Sequence, residues 1–239
     1  MKIEKGKLLA FIPARGGSKS IPLKNLANLN GLPLMNYSLL AAQSSNLFSS
    51  IVCSTDNQDI AENAKRLGVR VDVRPSRLGG DDVSTKDVIL DYLGRLDRVP
   101  EFIFIVEPTS PFLRAKDIRE LHKEMVKNPN ACSGQTIAKP QHTHHAWNQR
   151  FFKQNLVYFA FEERKTVFRK QDKPELYTFG NLIACRSQML LNGSDVFSEP
   201  SVGVEIEWPY DVNIDHENDL ILAEALLGRE GFVKLDHIN

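Results

Sequence analysis

Leu8-Leu9-Ala10-Phe11-Ile12-Pro13-Ala14-Arg15-Gly16-Gly17-Ser18-Lys19-Ser20-Ile21-Pro22-Leu23-Lys24-Asn25 passes from an apolar run straight into a loop of glycines and cations. The five apolar residues before Pro13 read as a buried strand. Behind them, Gly16 and Gly17 free the backbone to wrap an anion with its N–H groups, and Arg15, Lys19 and Lys24 can neutralise several negative charges. The residue order fits neither G-x-x-x-x-G-K-[ST] nor G-x-G-x-x-G, which argues against a P-loop kinase and a dinucleotide dehydrogenase. A solvated basic turn is the plainer reading. The position of the loop, at the carboxyl end of a first strand, favours a binding role.

Outward from this stretch the pattern alternates. Residues 33–45 read as a helix with Pro33 in its first turn, and Ile51-Val52-Cys53 as a second strand. Ser54-Thr55-Asp56-Asn57 supplies capping residues before a helix over 60–67. Strands follow at 69–73 and 102–106, with helices at 88–96 and 118–126. Such alternation predicts βαβ crossovers and a mainly parallel sheet covered on both faces. Ligands of such sheets bind beyond the strands' carboxyl ends. The chemistry is therefore expected on residues 13–25, 54–57, 74–84 and 107–114.

The rhythm breaks over 139–177, where His, Gln, Lys and Arg mix with Trp147, Phe151, Phe152, Tyr158, Phe159, Phe161 and Phe168. A stretch this long is a poor plain loop and reads as an insertion that packs on something else. The expected division is 1–138 with 178–239 as one domain, and 139–177 as the insert. Strand and helix return at 181–185, 187–191, 202–206 and 217–227. Gln141-His142-Thr143-His144-His145 has no nearby cysteine and reads as a solvated or ligand-facing loop rather than a metal site.

Composition narrows the class. Of 239 residues, 30 are Lys or Arg and 30 Asp or Glu, so zero net charge argues against wholesale capture of nucleic acid or anionic membrane. No apolar run approaches the ~20 residues that span a bilayer, and the charged first residues do not resemble a signal peptide. Cys53, Cys132 and Cys185 are odd in number and far apart, which predicts three buried, reduced thiols and a cytoplasmic protein.

The loop at 12–25 resembles the signature of the CMP-sialic acid synthetases (acylneuraminate cytidylyltransferases), and four later segments follow in order. Ile51-Val52-Cys53-Ser54-Thr55-Asp56 resembles the family's second-strand motif, and Arg74-Pro75 with Leu78 its R-P-x-x-L segment. Glu107-Pro108-Thr109-Ser110-Pro111-Phe112-Leu113-Arg114 is similar to its Q-P-T-S-P-L-R loop. Asn213-Ile214-Asp215-His216-Glu217-Asn218-Asp219-Leu220 is similar to its D-I-D-T-x-x-D-L segment.

The resemblance implies an α/β, three-layer nucleotide-binding fold with a mainly parallel sheet and a dimerisation insertion. It implies a nucleotidyl transfer: an acidic keto-sugar of the sialic, legionaminic or pseudaminic type attacks CTP, giving the CMP-sugar and pyrophosphate. Transfer to an eight-carbon 3-deoxy-manno-octulosonate, or a relative that binds without turnover, are the alternatives. It assigns Arg15, Lys19 and Lys24 as catalytic cations. Ala14, Gly16, Gly17, Ser18, Asn25, Arg74, Ser84, Glu107, Thr109, Ser110, Gly180 and Asn181 are assigned to substrate binding. Asp215 and Asn213 are assigned to Mg2+ or Mn2+, and the insertion, with Arg164-Lys165, Phe168 and Arg169-Lys170, to a homodimer partner.

Three positions depart from the family pattern. Asn213 stands for an aspartate, which weakens a magnesium ligand, and Glu107 stands for a glutamine of the sugar site. Phe179-Gly180-Asn181-Leu182 stands for N-G-A-I. Glu107 either reads a sugar hydroxyl or amine, restores negative charge beside the metal, or has drifted without consequence.

Overall fold

The computed structural model describes residues 2–80, 82–162 and 169–236. Its elements in chain order are β1 (Lys2–Pro13), β2 (Asn28–Leu29), β3 (Leu32–Pro33), α1 (Leu34–Ser44), β4 (Ser50–Thr55), α2 (Gln58–Arg66) and β5 (Arg70–Val73). Then come α3 (Thr85–Gly94), β6 (Arg98–Val106), α4 (Ala115–Lys127), β7 (Ser133–Ala138), β8 (Arg150–Lys153) and β9 (Leu156–Phe159). The chain continues through β10 (Thr178–Arg186), α5 (Ser187–Leu191), β11 (Ser201–Ile206) and α6 (Glu217–Gly228).

Side-chain alternation along the central strands divides the core in two. Leu8, Ala10 and Ile12 of β1, with Phe102, Phe104 and Val106 of β6, pack against α1, α2 and α4. Leu9, Phe11, Ile103 and Ile105 point the other way, onto Val88, Ile89 and Leu93 of α3 and Leu190 of α5. The result is the expected three-layer α/β arrangement. Among the described residues, seven strands form one sheet in the order β11-β7-β10-β6-β1-β4-β5. Only β10 runs antiparallel in it, paired with β6 and β7.

Several elements depart from the sequence reading. β1 begins at Lys2 rather than Leu8, because its charged residues pair with Arg98, Val99 and Pro100 before a bulge between Glu4 and Leu8. β7, Ser133-Gly134-Gln135-Thr136-Ile137-Ala138, has no apolar run to announce it, yet it lies between β10 and β11. Pro33 precedes α1 as its N-cap instead of occupying the first turn. Cys53 and Cys185 are buried, which pushes both thiols up to about 12, whereas Cys132 is only half-buried.

The insertion carries β8 and β9 as a separate hairpin, joined by Gln154 and Asn155, both at positive φ as a tight two-residue turn requires. Phe151, Phe152, Val157 and Tyr158 are more than half exposed on it. Arg164, Lys165 and Phe168 lie outside the described residues. His145 is buried, with one ring nitrogen on the Pro174 carbonyl and the other accepting from the Trp147 N–H. Among the described residues no group of three or more His, Cys, Asp or Glu side chains is arranged to hold a metal ion. Nor is any helix long and apolar enough to cross a membrane.

Candidate active site

A cavity of about 770 Å³ opens at the carboxyl ends of β1, β5 and β6. The loop after β1 contributes Arg15, Ser18, Lys19, Lys24 and Asn25; the segment after β5 contributes Arg74. Glu107 and Thr109 follow β6, and Asn213 and Asp215 precede α6. Residues up to 200 positions apart in the chain thus meet where strand polarity places a ligand.

The loop is held from behind. The Gly16 N–H donates to Asp56 Oδ1 at 2.8 Å, and the Asn25 amide donates to the Arg15 carbonyl at 2.9 Å. A Cβ on residue 16 would lie 2.7 Å from Asn57 Cβ, so only glycine lets the loop lie this close to α2. Asn57 itself caps α2 by accepting from the Ile60 N–H. The segment 54–57, expected to carry chemistry, is therefore the support of the loop rather than a wall of the cavity.

The front edge is fastened to the segment before α6. Lys24 Nζ donates to the Ile214 carbonyl at 2.7 Å and lies 3.1 Å from Asp215 Oδ1. Ser20 Oγ donates to the Asp215 carbonyl, and the Ile214 N–H donates to the Thr109 carbonyl at 2.9 Å. The Asp219 carboxylate accepts from the N–H groups of both Asp215 and His216 in a capping box that starts α6. Asn213 Oδ1 is buried and has no hydrogen-bond partner among the described residues.

Glu107 is half-buried on the same wall. Burial, reinforced by the negative charge of Asp215 and opposed by Lys24, pushes its carboxyl up to about 7. Ser38, fully buried in α1, lies within hydrogen-bond distance of both the Glu107 and the Ser110 carbonyls and so fixes the turn that presents Glu107.

Seven assigned residues stay off the cavity wall. Ala14 is fully buried and continues the sheet, its N–H donating to the Ser54 carbonyl. Gly16 and Gly17 form the loop backbone, Ser84 is spent as the N-cap of α3, and Ser110 is buried under its turn. Gly180 and Asn181 sit inside the sheet, not in the pocket. A Cβ at 180 would meet Thr136 Oγ1 at 2.7 Å, and the Asn181 amide joins Thr136 to the Tyr210 carbonyl. At 180 and 181, within the stretch that departs from the family pattern, the contacts are therefore made inside the sheet. Conversely, Ser20, Val83, Val88, Pro108 and His216 line the cavity without having been singled out. The cap at His216 was hidden because His stands where a capping box usually has Ser or Thr.

The cytidylyltransferase family model matches residues 9–202. The chain is 40% identical over 111 residues to N-acylneuraminate cytidylyltransferase A of Danio rerio, a match covering 46% of this chain and 26% of that protein. The chain thus spans about a quarter of the fish protein's length. It is 28% identical over 230 residues to CMP-N,N'-diacetyllegionaminic acid synthase of Legionella pneumophila, covering 92% of this chain and 96% of that one. Among solved structures, CMP:2-keto-3-deoxy-manno-octonic acid synthetase complexed with CTP superposes with a TM-score of 0.72 at 16% identity, over 94% of this chain and 99% of that one. At that identity the likeness is one of fold.

Proposed function

This chain belongs to the cytidylyltransferase family, and on that premise we propose that it transfers CMP from CTP to a nine-carbon acidic keto-sugar of the sialic, legionaminic or pseudaminic type, releasing pyrophosphate. The near full-length match to a legionaminic acid synthase supports the sugar class. The observation that carries the reading is one cavity with the Arg15 and Lys19 loop at one side and Glu107, Asn213 and Asp215 at the other.

In this reading the sugar's anomeric hydroxyl attacks the α-phosphorus of CTP. The bond to the bridging oxygen breaks, and pyrophosphate leaves. Charge grows on the α-phosphoryl and on the leaving group, so fixed cations and N–H donors there lower the barrier. Arg15 and Lys19 are assigned to the triphosphate, Asn25 keeps their loop closed on itself, and Arg74 is assigned to the nucleotide. Glu107 is assigned to the sugar.

The donor set suits a hard divalent cation: a carboxylate at Asp215 and an amide oxygen at Asn213 that nothing else among the described residues satisfies. Mg2+ or Mn2+ held there would neutralise phosphate charge. Two protein oxygens leave most of its coordination to phosphates and water, which favours binding as the metal–CTP complex.

The insertion, with its exposed Phe151, Phe152, Val157 and Tyr158, is assigned to a homodimer contact, and 1–138 with 178–239 to the nucleotidyltransferase unit. Two buried reduced thiols suit a cytoplasmic setting. The test is CTP- and magnesium-dependent pyrophosphate release against a panel of eight- and nine-carbon keto-sugar acids. Release only with the eight-carbon acid moves the assignment to that substrate; nucleotide binding without release with any sugar leaves a binding protein.

A further inference from the structure

We infer that Asp72 is a positioning residue that aims the Arg74 guanidinium into the cavity through the hydroxyl of Ser54. The inference rests on the proposed reading of Arg74 as a nucleotide contact.

Asp72 stands in β5, where strand propensity disfavours aspartate, and it is only 5% exposed. A buried carboxylate persists where its oxygens are satisfied. Oδ1 accepts from Arg95 Nη1 at 2.7 Å, and Oδ2 accepts from Ser54 Oγ at 2.9 Å. Ser54 is fully buried and is the link onward: its Oγ accepts from Arg74 Nε at 3.1 Å, and its carbonyl accepts from Arg74 Nη2 at 3.0 Å.

The direction of this chain is fixed by donor counting. A guanidinium can only donate, so the Ser54 hydroxyl must accept from Nε. Its single hydrogen is then directed to Asp72, the one partner there that can only accept when ionised. With Nε and Nη2 held on one side, and the Arg74 N–H bound to the Thr55 carbonyl at 2.9 Å, the guanidinium plane is set. Among the described residues Nη1 has no hydrogen-bond acceptor, so it and the second hydrogen of Nη2 are left for a ligand in the cavity that Arg74 lines.

Asparagine at 72 cannot replace this geometry. It presents one acceptor and one donor where the site needs two acceptors, so either the Ser54 hydroxyl or Arg95 faces an N–H group. If the hydroxyl turns away, Nε loses its oriented acceptor and Arg74 gains rotamers. The plainer role of Asp72, fastening α3 to β5 through Arg95, predicts lost stability and no effect on ligand.

The two roles separate by measuring CTP binding by calorimetry and melting temperature on the same variants. Arg74→Ala is expected to weaken CTP by at least about tenfold, the scale of one charge-assisted hydrogen bond. Ser54→Ala and Asp72→Asn are expected to weaken CTP to a similar degree, with little further loss when either is combined with Arg74→Ala. Arg95→Ala is expected to lower the melting temperature and leave CTP affinity within about twofold. If Asp72→Asn does not fold, Ser54→Ala carries the test, since it leaves the Asp72–Arg95 pair in place. Loss with Arg74→Ala but not with Ser54→Ala or Asp72→Asn overturns the positioning role. Equal loss with Arg95→Ala also overturns it, by assigning the effect to a loosened α3. Unchanged CTP affinity in Arg74→Ala overturns the nucleotide reading of Arg74 and the positioning role with it.

Discussion

Lys24 Nζ sits 3.1 Å from Asp215 Oδ1, bringing a cation of the loop after β1 onto the acid assigned to the metal. The Lys24 side chain is 14% exposed, while that of Asp215 is 65% exposed and free to meet a ligand. Its second bond, to the Ile214 carbonyl, anchors the backbone of the same segment. Lys24 therefore has a structural task as well as its charge.

Both tasks show in one pair of variants. Arg15→Ala and Lys24→Ala should each cut kcat by about 100-fold or more, as loss of transition-state charge stabilisation does. Lys24→Ala alone should also lower the melting temperature, because it unfastens residues 214 and 215 from the loop. Near-normal kcat in both, with folded circular dichroism spectra, would remove the loop from the mechanism.

In the proposed reading Glu107 is assigned to the sugar and Asn213 to the metal. Glu107→Gln is expected to change the ranking of keto-sugar acids, whereas Asn213→Asp is expected to lower the magnesium concentration for half-maximal rate, because a carboxylate binds the ion more strongly than an amide. A shift in magnesium requirement with an unchanged sugar ranking in Glu107→Gln would move Glu107 to the metal.

The raised pKa of Glu107 also makes a stability claim with a definite sign. Its carboxyl titrates near 7 when folded, against 4.5 unfolded, so between these values the unfolded chain releases a proton that the folded chain keeps. Stability contributed by this group is complete below the unfolded value and falls as pH rises through about 7, by at most about 3 kcal/mol. Glu107→Gln should thus melt higher than the parent at pH 8 and close to it at pH 4. The reverse order would mean that Glu107 is stabilised as a carboxylate.

The exposed hairpin predicts assembly. Light scattering at micromolar concentration should return twice the 27.0 kDa chain mass, and Phe152→Ser with Val157→Ser should return the single mass without loss of fold. A parent that scatters as one chain would remove the insertion from any self-contact at that concentration.

The chain's own order of residues determined the layered architecture and most of the cavity wall. The unbroken apolar runs Leu8 to Ile12 and Phe102 to Val106 are local properties, and parallel strands put the segments after them at one edge. Arg15, Lys19, Arg74 and Glu107 were legible for that reason. β7 was not, because its Ser, Gly, Gln and Thr residues become a strand only between two neighbours. Tertiary structure alone decided what each polar group is spent on. Asp56 supports Gly16, Asn181 is consumed inside the sheet, Lys24 holds Asp215, and Asp72 reaches Arg74 through Ser54. An apolar strand such as β1 or β6 is announced by residues adjacent in the chain, whereas a polar strand such as β7, and the partner and charge state of a buried polar group, depend on what folding packs around them, from residues as distant as 24 and 215.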